Sequence, residues 1–244
     1  VNDLLREIFG KVVFEVAESK IMEFGFNTKL VSHLIYSPFE AQIDTGEMMK
    51  TLIKYAQFLG IQILNGAEAK EFNGGKVTAW HTALGEQITF SSEKVIICAN
   101  AFMNQIVPTP SVKPGRGQVL ITNEIMNLKL KGIFHYDEGY YYFRNYGNRV
   151  IIGGGRNMDF SEEESYEFSF NEKIINDLVS KLDNMILPGV KYEIADKWTG
   201  IMGFTEKKLP EIRVIDSNAI AALSCNGMGI ALSSYIAREI ANML

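Results

Sequence analysis

The sequence predicts a layered α/β fold whose segments are interleaved along the chain, on three local patterns. Residues 44–59 show helical apolar spacing, and Gly60 separates them from the apolar run 61–64, which is predicted as a buried strand. A helix, a glycine and a strand in this order are typical of a layered α/β domain. Short strands then follow between residues 69 and 153, which predicts an antiparallel or mixed sheet in an α+β part.

Local signals place the first elements. Residues 4–9 have helical spacing, whereas 20–26 and 33–36 have the composition of strands. Asp44 and Glu47 form a capping box, in which carboxylates satisfy free amides at a helix start. The helix that they begin is predicted to end at Gly60 in a left-handed conformation.

The remaining elements follow from turn residues and apolar runs. Asn73, Gly74 and Gly75 predict a hairpin, and the apolar run 95–98 predicts a strand buried on both faces. Asn171 is placed to cap a helix that runs to about Leu187. Further strands are predicted at 87–90, 118–122, 140–144, 149–153, 193–199 and 219–224, and a last helix from Met228.

Bulk composition limits the classes of partner. The chain has 244 residues, is 47% hydrophobic and carries a formal net charge of −5, without a long run of Lys or Arg. Nucleic acid and an anionic membrane are therefore not expected as partners. Cys98 and Cys225 lie in apolar surroundings, which predicts buried thiols in a reducing compartment, the cytoplasm. Gly227 and Gly229 divide the uncharged stretch 218–237, which favours a strand, a turn and a helix over a membrane span.

Several kinds of catalytic site are unsupported. The three histidines share no metal-ligand spacing, and neither C-x-x-C nor G-x-S-x-G occurs, so no metal site and no serine-hydrolase elbow is predicted. The run Gly153–Gly155 ends a strand beside Arg156, which allows a phosphate cradle. The favoured alternative is a strand that lets a flat or bulky group approach its backbone.

Residues 223–232 carry the most informative local pattern, an apolar strand, a glycine-containing turn and a helix start. Such a turn presents free backbone amides at a helix N-terminus, where the partial positive charge favours an electron-rich ligand edge. Taken alone, the pattern is better explained as a plain strand-to-helix turn.

Six segments stand in an order and spacing that resemble the D-amino-acid oxidase/glycine oxidase superfamily of FAD-dependent oxidoreductases. They are residues 44–64, 95–102 (VIICANAF), 114–118 (PGRGQ), 140–155 (YYYFR to RVIIGGG), 198–210 (WTGIMGF to LP) and 225–233 (CNGMGIALS). The resemblance implies a Rossmann-like FAD-binding layer, incomplete here, that occupies residues 38–102 and 200–244. It implies a substrate domain with an antiparallel or mixed sheet at 1–37 and 103–199.

The resemblance also implies positions for the cofactor. Ala69 matches a segment whose backbone meets the adenine, and Ala99, Asn100 and Ala101 match a small-residue turn that passes the cofactor. Gly200 falls in the Trp-x-Gly stretch beside it. The turn that faces the pyrimidine end of the flavin corresponds to Asn226, Gly227, Met228, Gly229 and Ile230, whose amides would stabilise negative charge on the reduced ring.

The implied reaction is oxidation of a C–N bond in an amino acid or secondary amine, with hydride transfer to the flavin and hydrolysis of the resulting imine. Tyr141 matches a substrate-facing tyrosine, and ordinary sheet packing explains Tyr140, Tyr141, Tyr142 and Tyr146 about equally well. Some relatives hold the substrate carboxylate with an arginine just after Trp-x-Gly, where this chain has Met202. Arg144 or Arg156 is then expected to bind the carboxylate, or the substrate lacks one.

A second departure concerns the pyrophosphate of FAD. The family begins with a G-x-G-x-x-G loop, and none occurs here. We therefore expect a preceding segment in the native protein, FAD in the full-length protein, and little FAD binding or activity in this chain. Strands 95–98 and 219–224 would lack neighbours, which leaves a homo-oligomer open. The alternatives are a dehydrogenase of hydroxy acids or glycerol phosphate, and a non-catalytic binding module that has lost the cofactor.

Overall fold

The computed structural model describes residues 1–108, 111–223 and 225–244. Within them, helices α1 to α6 are Asn2–Phe9, Lys20–Glu23, Thr45–Phe58, Phe160–Glu163, Glu172–Lys181 and Gly229–Ala241. Strands β1 to β13 are Glu15–Val16, Ile35–Tyr36, Ala67–Asn73, Lys76–His81, Glu86–Ser91, Val95–Ile97, Lys113–Thr122, Ile133–Tyr136, Tyr141–Tyr146, Arg149–Gly154, Ile194–Phe204, Glu211–Val214 and Ala219–Leu223.

The chain divides into two compact units. Unit 1 comprises Val1–Ile43, Gly117–Glu163 and Phe168–Gly200, and unit 2 comprises Asp44–Arg116, Glu164–Glu167 and Ile201–Leu244. Each unit is assembled from separated segments, as the interleaved α/β prediction requires. The assignment of one unit to a substrate and the other to a cofactor stays a prediction.

Unit 1 is built on a five-stranded sheet in the order β11-β7-β10-β9-β8. The hairpin of β9 and β10 pairs Arg149 with Tyr146 and continues to Gly154 opposite Tyr141. One face of the sheet packs against α5, whose Ile174 and Leu178 are fully buried. The apolar side chains on that face exclude water and supply most of the stabilisation of the unit.

A buried polar network holds the start of α5. The Asn171 side chain accepts a hydrogen bond from the Lys173 N–H, as the predicted N-cap requires. The Asn171 N–H donates to Gln118 Oε1 at 2.9 Å, and Gln118 Nε2 donates to Glu163 Oε2 at 3.2 Å. Gln118 and Glu163 are both 0% exposed, so the network joins β7, α4 and α5 inside the protein.

Unit 2 contains two three-stranded sheets. The first, β3-β4-β5, is an antiparallel meander whose first hairpin is the predicted Asn73–Gly75 turn. In the second, of order β12-β13-β6, β13 pairs parallel with β6 and antiparallel with β12. Ile97 and Leu223 pack into one apolar cluster, and Ile220 packs with α6 in another. This sheet is therefore covered by apolar side chains on both faces.

Helix α3 begins as predicted. Asp44 is its N-cap, with Oδ1 accepting the Glu47 N–H at 3.0 Å, and Gly60 follows the helix with φ of 82°. None of its residues is buried, and Phe58 is 83% exposed. Its cap is therefore fixed by local chemistry and not by tertiary packing.

Several local predictions were wrong. Residues 61–64 form no strand, and Ile61 is 55% exposed. Lys20–Glu23 is helical where a strand was predicted. Strand β6 has a single partner, so Ile96 is 42% exposed, and Cys98 is exposed as well. Each error took an apolar run as a sign of burial, although burial depends on which distant segment packs against the run.

The predicted strand 219–224 ends at Leu223, and Ser224 lies outside the described residues. In the part of the chain that is described, no helix has both the length and the apolarity that a membrane span needs.

Candidate functional site

Two parallel strands of unit 2 end at the same edge of their sheet. Ile96 of β6 lies beside Ile220 of β13, and the register continues to Ile97 beside Ala221. The turn beginning at Asn100 therefore follows β6 at the edge where the segment beginning at Cys225 follows β13. Ligands of α/β sheets bind outside the carboxyl ends of parallel strands, so this edge is the first place to look for a site.

The turn after β6 contacts both the segment that follows β13 and the end of β11. Asn100 takes the left-handed φ of 46°, and its Oδ1 accepts the Cys225 N–H at 3.4 Å. A side-chain carbon at Gly203 would lie 2.9 Å from this Oδ1 and 3.0 Å from the Ala101 N. Glycine at 203 is therefore what allows the end of β11 to touch the turn.

The turn after β13 is held to the end of β11 by hydrogen bonds. Asn226 has φ of 49° and Gly227 has φ of 80°, conformations that Asn and Gly tolerate best. The Asn226 N–H donates to Gly203 O at 3.1 Å. Its Oδ1 accepts the Thr205 N–H at 2.8 Å, which fixes the orientation of the carboxamide.

This orientation leaves a row of unused donors. Within the described residues, the N–H groups of Gly227, Gly229 and Ile230 donate to no protein acceptor, because they precede the first full turn of α6. The Asn226 Nδ2 is buried and likewise has no partner among these residues. Four donors and the positive end of α6 thus converge on one turn, which suits an electron-rich group.

Met202 and Cys225, two side chains next to this turn, are uncharged. Met202 Sδ lies 3.8 Å from the position that a side-chain carbon at Gly227 would take. Burial raises the pKa of Cys225, so its thiol stays protonated near neutral pH. Met228 and Ile230 are 56% and 48% exposed, so the turn is open to a ligand.

The other predicted cofactor contacts lie in different surroundings. Ala99 and Ala101 flank Asn100 in the turn after β6, and Ala101 is fully buried. Ala69 is an exposed residue of the β3-β4-β5 meander, opposite Ala79. Gly200 belongs to unit 1 and has open space where a side chain would begin. The structure brings Ala99–Ala101 and Asn226–Ile230 together, and the roles of Ala69 and Gly200 stay predictions.

Tyr141, the predicted substrate-facing tyrosine, points into the core of unit 1. It is 4% exposed, its ring stacks on Tyr136 at 4.9 Å, and its hydroxyl donates to Asp177 Oδ2 at 2.8 Å. Burial and this hydrogen bond raise the pKa of Tyr141 well above its usual range. Its hydroxyl is thus already engaged within the protein.

The next residues along β9 alternate, as the pleat of a strand requires. Tyr142 is 39% exposed and Arg144 is half-buried, and both lie on the face opposite Tyr141 and Phe143. Arg144 donates from its guanidinium to Ile43 O at 3.0 Å. Tyr142 and Arg144 therefore share the outward face of the sheet in unit 1.

The glycine run at the end of β10 admits a ring from this face. A side-chain carbon at Gly153 would lie 2.5 Å from the Tyr142 hydroxyl oxygen and 2.9 Å from Gln118 O. The flat group that approaches this backbone is the Tyr142 ring, and such an approach was predicted from the sequence in preference to a phosphate cradle. Arg156 follows the run and lies 5.0 Å from the Phe160 ring centroid.

No cluster of His, Cys, Asp and Glu that could hold a metal ion occurs among the residues that the structure describes.

A sequence model of the FAD dependent oxidoreductase family, DAO, matches residues 16–243. The chain belongs to the DAO family of FAD-dependent oxidoreductases. No curated protein matches it in sequence.

Solved structures of oxidases and dehydrogenases share the fold. The chain matches L-proline dehydrogenase from P. horikoshii with 16% identity and a TM-score of 0.70, covering 88% of this chain and 60% of that one. Glycine oxidase from Geobacillus kaustophilus matches with 17% identity and a TM-score of 0.73, covering 95% of this chain and 62% of that one. Glycerol-3-phosphate dehydrogenase from Bacillus halodurans, complexed with FAD, matches with 15% identity and a TM-score of 0.68, covering 93% of this chain and 48% of that one.

The family model confirms the predicted family, and the similarities to solved structures, at such low identity, confirm the fold class alone. This DAO-family chain spans about three fifths of the length of the first two structures.

The sequence did not identify the residues that hold the Asn226–Ile230 turn in place. Gly203 and Thr205 fix its geometry, and Asp177 engages Tyr141. The repeated glycines of W-T-G-I-M-G-F carried a signal, since glycine inside a strand marks close backbone approach. Thr205 and Asp177 carried none, because their partners lie 21 and 36 residues away in sequence.

Proposed function

We propose that this DAO-family chain serves the FAD-dependent oxidation of a C–N bond in an amino acid or secondary amine. The observation that supports this proposal is the convergence of the Ala99–Ala101 turn, Gly203 and the Asn226–Ile230 turn in unit 2. The main-chain donors of Gly227, Gly229 and Ile230 have no acceptor within the described residues, and glycine at 227 and 229 allows close approach of a flat ring.

The residues present fit the flavin of FAD. The pyrimidine edge of a flavin carries carbonyl and nitrogen acceptors, and the turn offers the N–H groups of Gly227, Gly229 and Ile230. The unpartnered Asn226 Nδ2 supplies a fourth donor, because an unsatisfied buried amide costs about 1–3 kcal/mol that an acceptor on a ligand relieves. Asn226 to Ile230 would hold the ring edge, with Ala99 to Ala101 beside it and Ala69 toward the adenine.

When bound, FAD supplies a two-electron acceptor for the hydrogen on the carbon next to the substrate nitrogen. The chain's own residues contribute position and electrostatics. The donors at the start of α6 stabilise negative charge at the turn without reorganising. A substrate carboxylate is matched by the two parallel N–H groups of an arginine.

Arg144 is better placed for this role than Arg156. It shares the outward face of β9 with Tyr142, and within the described residues its guanidinium donates to Ile43 O, a neutral carbonyl that a carboxylate can outcompete. Arg156 follows the glycine run instead and packs on Phe160. We assign carboxylate binding to Arg144, with Tyr142 as its neighbour on the substrate side.

Flavin binding by two matched variants tests this function. Gly227→Ala places a side chain at φ of 80° in the turn, and Gly60→Ala does so at φ of 82°, after α3 and in open space. Both carry similar backbone strain, about 1–2 kcal/mol. We expect weak, reversible FAD binding by the unaltered chain and by Gly60→Ala, measured as quenching of flavin fluorescence, and at least tenfold weaker binding by Gly227→Ala. Equal binding by the two variants contradicts the proposal.

Met202 supports one alternative substrate class. Met202 lies beside the turn where some relatives have an arginine that binds the amino-acid carboxylate, and its presence there leaves hydroxy acids and glycerol phosphate open as substrates. Anaerobic bleaching of flavin absorbance in an FAD-loaded preparation separates the classes. Bleaching by amino acids or secondary amines supports the proposal, and bleaching by hydroxy acids or glycerol phosphate supports the alternative.

A further inference from the structure

Unit 1 contains a cavity of about 680 Å³ at the free edge of β8. Strand β8 and residues 131–132 form one wall, and residues 33–42 form the other. Its volume lies within the usual range for small-molecule sites in proteins. None of the sequence motifs or family matches assigns it a ligand.

The lining of the cavity is mainly apolar. Phe24 and Phe134 meet edge to face, with ring centroids 5.2 Å apart, and their packing makes that wall rigid. The apolar lining residues include Phe14, Phe24, Leu34, Ile35, Ile133 and Phe134. A rigid apolar surface of this extent binds a hydrocarbon group, because burying it removes apolar area from water.

Cations outnumber carboxylates at the cavity. Lys20 and Lys131 line it, and Lys20 Nζ lies 5.0 Å from the ring centroid of Tyr36. The lining carboxylate, Glu40, already lies 3.5 Å from His135 Nε2. No ion pair of Lys131 occurs within the described residues. This excess positive charge favours a ligand that carries an acid group beside its apolar part.

The cavity borders the strand that carries the assigned substrate residues. In the β8–β9 pairing, Ile133 lies opposite Arg144 and His135 lies opposite Tyr142. On the other wall, Gln42 Nε2 donates to Asn145 Oδ1 at 3.3 Å. A ligand whose carboxylate lies at Arg144 could therefore extend its remaining part over Ile133 into the cavity.

We infer that the cavity holds a large apolar group of the substrate, so that the substrate is an amino acid with a bulky apolar side chain or N-substituent, and not glycine. This inference rests on the proposed function. Ile133 is then a specificity-determining residue, and Lys131 adds attraction for the acid.

Binding of inert acids to the purified chain tests the inference without FAD. The probes are 3-phenylpropionate, propionate, which lacks the ring, and 3-phenylpropan-1-ol, which lacks the charge. We expect 3-phenylpropionate to bind at least tenfold more tightly than either of the others, by calorimetric titration. Lys131→Met should reduce the preference over the alcohol, whereas the preference over propionate should persist.

Two edge-strand variants locate the site. Ile133→Asp places a carboxylate in the cavity, and Ile194→Asp makes the same change at β11, on the opposite edge of the same sheet, at similar exposure of 43% and 36%. We expect Ile133→Asp to lower the affinity for 3-phenylpropionate at least tenfold and Ile194→Asp to leave it unchanged.

The outcomes separate this inference from the proposed function. Equal affinity for the three probes, or equal effects of the two variants, overturns the cavity assignment while flavin binding at the Asn226 turn still stands. Binding of 3-phenylpropionate in the cavity, together with loss of the difference between Gly227→Ala and Gly60→Ala, overturns the substrate assignment.

Discussion

The substitution Gly203→Ala should destabilise unit 2, whereas Gly200→Ala in the same strand should not. At Gly203 the new carbon would lie 2.9 Å from Asn100 Oδ1, 3.0 Å from the Ala101 N and 3.2 Å from its Cα. The Asn100 side chain can move aside, but the Ala101 backbone is held in the turn. At Gly200 the new carbon meets nothing within 4 Å.

The expected magnitude follows from these contacts. Overpacking against backbone costs about 1–3 kcal/mol, and losing the Asn100–Cys225 hydrogen bond adds about 1 kcal/mol. Gly200→Ala lies in unit 1, in open space, so it should leave the stability of unit 2 unchanged. The two variants should therefore differ by about 2–4 kcal/mol in free energy of unfolding. At about 2–4 °C per kcal/mol for a chain of this size, the melting temperatures should differ by several degrees.

The assay can be made specific for unit 2. The chain has two tryptophans, Trp80 in unit 2 and Trp198 in unit 1. In a Trp198→Phe background, urea unfolding followed by Trp80 fluorescence reports the stability of unit 2. Equal urea midpoints for Gly203→Ala and Gly200→Ala would refute the close approach of β11 to the Asn100 turn.

Three further predictions concern charge and hydrogen bonding. Asn226→Asp keeps the acceptor and replaces the free amide with a carboxylate, so flavin titration should show at least tenfold weaker binding with little change in urea midpoint. Burial and the bond to Asp177 raise the pKa of Tyr141 above its ordinary 10.0. Stability should thus be full below pH 10 and fall above it, less steeply in Tyr141→Phe, as urea unfolding against pH would show; an unchanged slope would contradict this. Glu163→Gln should cost about 2 kcal/mol, by replacing an acceptor of two buried bonds, whereas exposed Glu164→Gln should cost almost nothing in the same assay.

Local chemistry made part of the fold predictable. The Asp44 cap, the Asn73–Gly75 hairpin and the Asn171 cap all involve partners within a few residues, and all three are present. The apolar run 61–64 misled because its composition fits a buried strand, whereas no neighbouring strand pairs with it among the described residues. Composition records a capacity for burial, and long-range packing decides whether burial occurs.

Part of the candidate site was likewise predictable from local sequence, and part depended on long-range packing. The strand–turn–helix pattern at 223–232 predicted free amides at a helix start, and the turn has them. Choosing between Tyr141 and Tyr142 required the register of β9, because a shift of one residue exchanges the core face for the outward face. The anchoring of the turn by Gly203 and Thr205 depends on β11, which no local pattern connects with β13.

The central claim is that the donors of the Asn226–Ile230 turn meet the edge of a flavin ring. Titration of the isotope-labelled chain with lumiflavin, the tricyclic ring without ribityl or phosphate, tests this most directly by NMR. The account predicts that the amide signals of Gly227, Gly229 and Ile230 shift most, followed by those of Asn100 and Ala101. Shifts spread evenly over the chain, or largest in the remote Asn73–Gly75 hairpin, would contradict it.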